Sequence, residues 1–254
     1  MANVRKIGLV TGGSRGLGKD MAFRLAEKGF DVIITWHTKN EAAEEIVGEI
    51  ESAGGAAAAL RLDVSDFNSL PAFVEQLTQT LKSKWNTDKF DFLINNAGVG
   101  ATIPFVNATE EDFDRLFTIH FKSVYFLTQY LLPYLNDGGR IITISSGSVR
   151  YCVPGYSIYA SAKGAVETFT RYLAKELGSR KITVNVVAPG PVETDFNNAA
   201  IRNNPNQKKY LESITTLGRV GTAEDIGGVI AFLCSEDAGW INGQRIEVSG
   251  GVSL

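Results

Sequence analysis

Three residues of this chain are suited to move a proton to or from an oxygen: Tyr159, Lys163 four residues on, and Ser146, 13 residues before the tyrosine. On a helix, positions four apart share one face about a turn apart. A free tyrosine has a pKa of about 10 and is a poor base at neutral pH. A nearby ammonium favours the phenolate, so the spacing predicts a Tyr159 tuned by Lys163 towards working pH. Taken alone, such a pair also occurs on ordinary helix surfaces. Ser146 shifts the reading because it ends a short apolar run, Arg140 to Ser145. Strand ends are where an open parallel sheet presents its ligand-contacting residues. The neighbouring Ser145 is the structural alternative, a residue that caps the strand.

A second constellation stands near the start: Thr11-Gly12-Gly13-Ser14-Arg15-Gly16-Leu17-Gly18, between an apolar run and a helical pattern. Glycines at a strand-to-helix turn let backbone N–H groups and the helix N-terminus face a phosphate. Gly13, Gly18 and Lys19 approach a P-loop, but Asp20 stands where a Ser or Thr hydroxyl should hold Mg²⁺. The usual Gly-x-Gly-x-x-Gly spacing is not matched either. A turn that only reverses the chain is the remaining alternative.

The elements that must position these residues follow from periodicity. Short, nearly all-apolar runs at Lys6 to Thr11, Asp31 to Trp36, Ala56 to Leu62, Phe90 to Asn95, Arg140 to Ser145, Ile182 to Ala188 and Arg245 to Val248 predict strands. Helical patterns separate them, notably Gly18 to Lys28, Glu41 to Ala53, Leu70 to Lys84, Glu110 to Leu135 and Ser161 to Leu177. That alternation predicts a doubly wound α/β fold, a parallel sheet with helices on both faces. Thr109 before Asp112 and Thr222 before Asp225 read as helix N-caps. Asn197 to Thr216 is the least regular stretch and reads as a mobile segment over a site, spanning about residues 196–217. With no repeat or linker, residues 1–254 are expected to form one domain.

Composition excludes several functions. Lys plus Arg total 25 and Asp plus Glu 28, a net charge of −3 that argues against a nucleic-acid or basic membrane-binding surface. Cys152 and Cys234 stand far apart without a His at ligand spacing, so neither a disulfide framework nor a metal site is expected. No stretch approaches the 18 uncharged apolar residues of a membrane span, and Met1 to Thr11 lacks the features of a signal peptide. A cytoplasmic location is the expectation. Asn107-Ala108-Thr109 matches a glycosylation sequon and reads as chance in that setting.

Four motifs fall in one order: Thr-Gly-x-x-x-Gly-x-Gly at Thr11, Gly12, Gly16 and Gly18, then Asn95-Asn96-Ala97-Gly98, then Tyr159-x-x-x-Lys163, then Pro189-Gly190-Pro191-Val192-Glu193-Thr194. In this the chain resembles the short-chain dehydrogenase/reductase family from about Lys6 to Gly251, and most of all its 3-oxoacyl-acyl-carrier-protein reductases. The resemblance implies a single Rossmann domain with a seven-stranded parallel sheet. It implies that Tyr159 donates a proton to a carbonyl oxygen in reduction, or removes it from an alcohol in oxidation. Lys163 would lower the Tyr159 pKa and hold the nicotinamide ribose, Ser146 would hydrogen-bond the substrate oxygen, and hydride would pass through the nicotinamide.

The same resemblance assigns the cofactor path. Thr11, Gly12, Ser14, Arg15, Gly16, Leu17 and Gly18 would hold the phosphates, Asp63 and Val64 would flank the adenine, Asn95, Asn96, Ala97 and Gly98 would line the groove, Val192 and Thr194 would hold the carboxamide, and Pro189, Gly190, Tyr159 and Lys163 would also contact the cofactor. One position departs from the pattern: His120 stands where the family usually carries an Asn supporting a water chain to the lysine. Either ring nitrogen of a histidine can bond water, so a relay with a different pH response is expected, packing alone being the alternative.

The end of the second strand, Ile34 to Lys39, holds no acid, whereas His37, Lys39 and Arg15 can surround a 2′-phosphate. NADP(H) is therefore favoured and NAD(H) is the alternative. Tyr151, Val153, Tyr156, Phe196 and Ile201 offer apolar, aromatic walls that suit a neutral ketone or aldehyde. An acidic acyl carrier would dock on basic residues, and of the two aligned positions one is Arg180 but the other is Asp137. The expected activity is thus an NADPH-dependent carbonyl reductase acting on a small molecule, with acyl-carrier reductase, NAD-dependent alcohol dehydrogenase, non-catalytic dinucleotide sensor and P-loop hydrolase as alternatives. Relatives suggest a homotetramer or homodimer, built on the long central helices and the C-terminal segment.

Overall fold

The β-branched runs form the seven strands of one sheet in the computed structural model, which describes residues 5–254; the first four residues of the expected domain lie outside the described residues. In chain order the strands are β1 (Ile7–Val10), β2 (Asp31–Trp36), β3 (Ala57–Arg61), β4 (Phe90–Asn95), β5 (Leu135–Ile144), β6 (Thr183–Pro189) and β7 (Arg245–Val248). They lie in the order β3-β2-β1-β4-β5-β6-β7, every pairing parallel. All four residues of β1 and all seven of β6 are buried, which is why these runs show no polar alternation. Strand order reverses between β1 and β4, so a crevice opens beyond their carboxyl ends.

Helices cover both faces. On one side α1 (Gly16–Glu27), α2 (Asn40–Ser52) and α9 (Glu224–Cys234) bring Met21, Leu25, Ile46, Ile50, Ile226 and Ile230 onto Val32, Ile34, Phe92 and Ile94. On the other, α3 (Leu70–Trp85), α5 (Ser123–Leu131) and α6 (Ser157–Glu176) bring Phe73, Leu77, Leu127, Leu131 and Leu173 onto Leu9, Ile33, Phe90 and Leu93. Burial of large apolar side chains at roughly 1.5–3 kcal/mol each makes these two layers the main source of stability.

The structure corrects four local expectations. The helix read from Glu110 to Leu135 is three pieces: α4 (Glu110–Phe117), a π-helical turn at Thr118–Lys122, and α5. Strand β5 starts at Leu135, not Arg140, and takes Gly138 and Gly139 into the strand across a register shift opposite Phe90 and Phe92. Helix α6 begins at Ser157, four residues earlier than the pattern suggested. The stretch read as irregular holds α7 (Phe196–Asn203) and α8 (Pro205–Ser213), with Asn197, Asn198 and Ala199 in left-handed conformation inside α7.

Of the two caps, Thr109 behaves as expected, its hydroxyl accepting from the Asp112 N–H at 3.1 Å. At the other, the Asp225 carboxylate accepts the Thr222 N–H at 2.8 Å, so the acid and not the threonine provides the oxygen.

Candidate active site

After β1 the chain turns through Gly12 and Gly16, both at positive φ, into α1. The entry to α1 has no side-chain cap and no acid in its first turn, leaving its first N–H groups open to an anion. Gly18 is required by close approach: a Cβ there would lie 2.3 Å from the Gly12 carbonyl oxygen and 2.7 Å from the Asn96 amide nitrogen. Ser14 and Leu17 are partly exposed along this turn, and Arg15 is exposed in extended conformation with no ion pair among the described residues. Backbone donors, a helix N-terminus and a free guanidinium suit a pyrophosphate with a further phosphate beside it.

Two residues assigned to the cofactor path prove to be clamps behind it. The Thr11 side chain is buried and accepts the N–H groups of Asn96 and Ala97 at 2.9 and 3.0 Å, stapling the end of β1 to the end of β4. Asn95 is buried and its amide donates to the Thr128 hydroxyl on α5 at 3.1 Å. Asn96, expected with its neighbours to line the groove, has an amide that donates to the Thr11 and Gly12 carbonyls at 2.8 and 3.2 Å and so holds the glycine turn, a clamping role the sequence did not indicate. Lys19 lies 3.7 Å from Glu49 on α2.

On the far side of the crevice the loop after β6 carries Pro189, Gly190, Val192 and Thr194. Gly190 packs against Ser249, Val192 bridges to Gly221, and the Thr194 side chain comes within about 4 Å of where a side chain on Gly16 would start, so it faces the glycine turn. At the outer end of β2, His37 lies 3.3 Å from Asp63, and Val64 follows, partly exposed. Burial opposes charge on Asp63, but the Ser65 hydroxyl and N–H and the neighbouring His37 outweigh it and hold its carboxyl below the usual carboxylate range.

Ser146 leaves β5 in extended conformation and opens a short 3₁₀ turn, Gly147–Val149. Its hydroxyl oxygen accepts from the Ser148 N–H at 3.2 Å and the Ser148 hydroxyl at 2.9 Å, which leaves its own O–H to donate outward. Tyr159 stands in the first turn of α6. Burial pushes its phenol above the usual tyrosine range, and the Ser146 hydroxyl pulls the other way without winning. Lys163 is only 4% exposed, donates to the Ile144 carbonyl at 2.7 Å and lies 5.8 Å from the Tyr159 ring centroid. With no carboxylate beside it, burial lowers its pKa to about 8.

Lys163, 5.8 Å from the ring centroid, is not among the groups that act on the Tyr159 phenol in this geometry, where burial is the largest influence.

The π-helical turn in the α4–α5 segment delivers His120 into the same corner; such turns recur at functional sites. The ring is 1% exposed, meets Tyr159 edge-on with centroids 4.9 Å apart, and uses Nε2 to donate to the Val99 carbonyl at 2.8 Å. Gly98 makes the room, since a Cβ there would lie 2.9 Å from Cε1. Nδ1 is buried without a protein partner. Burial, reinforced by the Lys163 ammonium, lowers the His120 pKa to about 3, which leaves Nδ1 as a neutral acceptor.

Above the corner, Tyr156 and Phe196 flank Tyr159 with ring centroids 5.8 and 6.2 Å away, and Val99 and Val153 are open to solvent beside them. Tyr151 turns instead onto Gly147, while Ile201 is half-buried in α7. Asn197 joins the walls, its amide donating to the Thr102 and Tyr156 hydroxyls at 3.2 and 3.3 Å.

Known proteins share this architecture. A family model described as enoyl-(acyl carrier protein) reductase matches residues 12–253. The chain is 37% identical over 257 residues, 97% of its length and 94% of the relative's, to hydroxynaphthalene reductase-like protein Arp2 of Metarhizium brunneum. The structure of angucycline C-6 ketoreductase LanV with bound NADP superposes with a TM-score of 0.94 at 38% identity, covering 99% of this chain and 97% of that one. A short-chain dehydrogenase from Burkholderia cenocepacia in complex with NADP gives a TM-score of 0.88 at 32% identity, covering 99% of each. Fold, ordered motifs and these likenesses together place the chain in the short-chain dehydrogenase/reductase family of NAD(P)-dependent oxidoreductases.

Proposed function

We propose that this chain reduces a neutral ketone, of the hydroxylated aromatic class named in its relatives, to an alcohol with NADPH. The observation that carries the reading is the partly buried Tyr159 in the first turn of α6 beside the outward-donating Ser146 hydroxyl, under walls of Tyr156 and Phe196. When bound, the nicotinamide supplies the hydride. Ser146 holds the carbonyl oxygen, and Tyr159 gives that oxygen its proton as negative charge develops. Lys163 binds the nicotinamide ribose and supports return of the proton to Tyr159. His120 Nδ1, an acceptor without a protein partner, holds a water on that route. The same groups run in reverse when an alcohol is oxidised.

NADPH is favoured over NADH because Arg15 stands free beside the uncapped entry to α1 and no acid follows β2. Two named relatives hold NADP, in line with that preference. Carrier-bound substrates fit less well. Arg180 is spent on Asp137 at 2.7 Å and on the carbonyls of Leu132 and Leu135, so this arginine is not free to meet an acidic carrier. A non-catalytic sensor has no physical need for the Ser146, Tyr159 and Lys163 trio.

A homotetramer or homodimer would cover the exposed aromatic face of α5 and α6, where Tyr172 is 67% exposed beside Tyr125 and Phe169, and Trp240, 99% exposed. No helix among the described residues is long and apolar enough to cross a membrane, and both cysteines are free, in keeping with a cytoplasmic enzyme.

A screen read by NADPH absorbance tests the reading, with hydroxylated polycyclic ketones, simple ketones, 3-oxoacyl thioesters and enoyl thioesters offered in parallel. Fastest turnover of the polycyclic ketones is expected. Turnover confined to the thioesters would overturn the substrate class.

A further inference from the structure

Behind Ser146 lies a set of charged side chains that the proton-transfer chemistry does not use. Glu167, on α6, accepts from the Ser145 hydroxyl at 2.7 Å and from Nε of Arg245 at 2.8 Å through the same oxygen, Oε1. Arg245, on β7, also donates from Nη1 to Glu247 at 3.0 Å and from Nη2 to the Ser146 carbonyl at 3.4 Å. Glu247 in turn accepts from Arg150 at 2.6 Å. The side chains of Glu167, Arg245 and Glu247 are 10, 17 and 19% exposed, whereas Arg150 reaches in from solvent at 66%.

Ion pairs taken out of water are poor sources of stability, because desolvation cancels much of the attraction. What this network has instead is direction. Its ties end on the segment that presents the catalytic serine: on the Ser145 side chain, on the Ser146 carbonyl, and on Arg150, which closes the 3₁₀ turn after Ser146. Below the same turn, a Cβ on Gly147 would lie 2.3 Å from the Tyr151 hydroxyl, so the turn cannot slide in that direction without meeting a ring. Glu167 also shares a helix face with the reacting residues, four positions after Lys163 and eight after Tyr159. One rigid helix therefore carries the proton donor, the ammonium and the anchor for the serine strand.

We propose that Glu167 and Arg245 are positioning residues that set the Ser146 hydroxyl against the Tyr159 phenol, so that both meet one substrate oxygen. This role rests on the ketone-reductase reading above. A misplacement of the order of 1 Å at such a pair is enough to cost about 10²-fold in rate.

The test is a double-mutant cycle on turnover, with Glu167→Gln, Ser146→Ala and the two combined. Glu167→Gln is expected to lower kcat at least 10-fold while leaving the NADPH Kd within about 2-fold, and to cost nothing further once Ser146 is alanine. Losses that multiply in the double variant would show that Glu167 does not act through Ser146 and would overturn the proposal. If Glu167→Gln does not fold, Arg245→Lys enters the same cycle, since it keeps a cation beside Glu167 but loses the fork that also reaches Ser146 and Glu247.

Absence of ketone turnover in the unaltered enzyme would sink the reductase reading and not this one. A crystal structure of Glu167→Gln then decides: a Ser146 hydroxyl displaced from Tyr159 supports the positioning role, and an unmoved one overturns it.

Discussion

The turn after β1 and the corner after β5 stand on the same edge of one sheet and are built by opposite means. The first exposes backbone N–H groups at an uncapped helix entry, shaped by Gly12, Gly16 and Gly18, beside Arg15, which makes no ion pair among the described residues. The second buries side chains that water would leave charged or fully hydrogen-bonded: Lys163, His120 and the Tyr159 phenol. An anion is held well by fixed dipoles that need no titration. Proton transfer needs groups whose proton affinity has been moved, and desolvation is what moves it here. Damage at Ser146 or Tyr159 should therefore stop turnover and largely spare cofactor affinity, and damage to the turn should do the reverse.

The largest effect short of Tyr159 itself is expected at Lys163. Lys163→Met should cut kcat by at least about 10²-fold and yet stabilise the fold at pH 7 by up to about 3 kcal/mol, because the buried ammonium is costly. The sign follows from its lowered pKa of about 8. Between about pH 8 and the unfolded lysine value of about 10.4, the folded enzyme has released a proton that the unfolded chain still holds. Stability of the unaltered enzyme thus rises with pH across that window, and the advantage of Lys163→Met shrinks. Urea unfolding at pH 7 and pH 10 reads both effects; a variant less stable at both would contradict the account.

On the other side of the comparison, Arg15→Glu should raise the NADPH Kd roughly 10- to 100-fold, change the NADH Kd far less, and leave kcat at saturating cofactor nearly unaltered. Equal weakening of the two cofactors in a fluorescence titration would show that Arg15 does not read a 2′-phosphate. The smallest effect is expected at His120. His120→Leu should lower turnover about 10-fold and His120→Asn should restore most of it. Neither should create or move an inflection between pH 5 and 7, because the ring titrates near 3. An inflection that moves in that range would return His120 to the role of a titrating relay.

The two regions also differ in how far they could be read from the chain alone. The glycine turn was legible because its function is carried by backbone, and glycine spacing reports backbone directly. Strands buried on both faces were legible for the same reason as the sheet itself: unbroken apolar runs admit few alternatives. Helical period hid the π-helical turn, since Thr118–Lys122 keeps an apolar pattern compatible with an unbroken helix, and the inward path of His120 follows from that one turn. Strand β5 was read short because Asn136, Asp137, Gly138 and Gly139 look like a turn, whereas pairing with β4 across a register shift carries them into the sheet.

Tyr159, Lys163 and Ser146 could be named from the ordered motifs and the resemblance they carry, but their proton affinities could not. Those depend on burial among elements far apart in the chain, and the tie from Glu167 to Arg245 spans 78 residues. The clamping roles of Thr11 and Asn96 were not legible either, because a hydroxyl or amide beside a glycine turn serves equally as clamp or contact until its partners are known.

The account turns on Tyr159 as the proton donor of a site whose cofactor cradle is independent of it. The direct measurement pairs NADPH consumption against a hydroxylated polycyclic ketone with fluorescence titration of NADPH, for the unaltered enzyme and Tyr159→Phe. The predicted result is loss of at least about 10³-fold in kcat with the NADPH Kd within about 2-fold. Turnover by Tyr159→Phe within about 10-fold of the unaltered enzyme would contradict it.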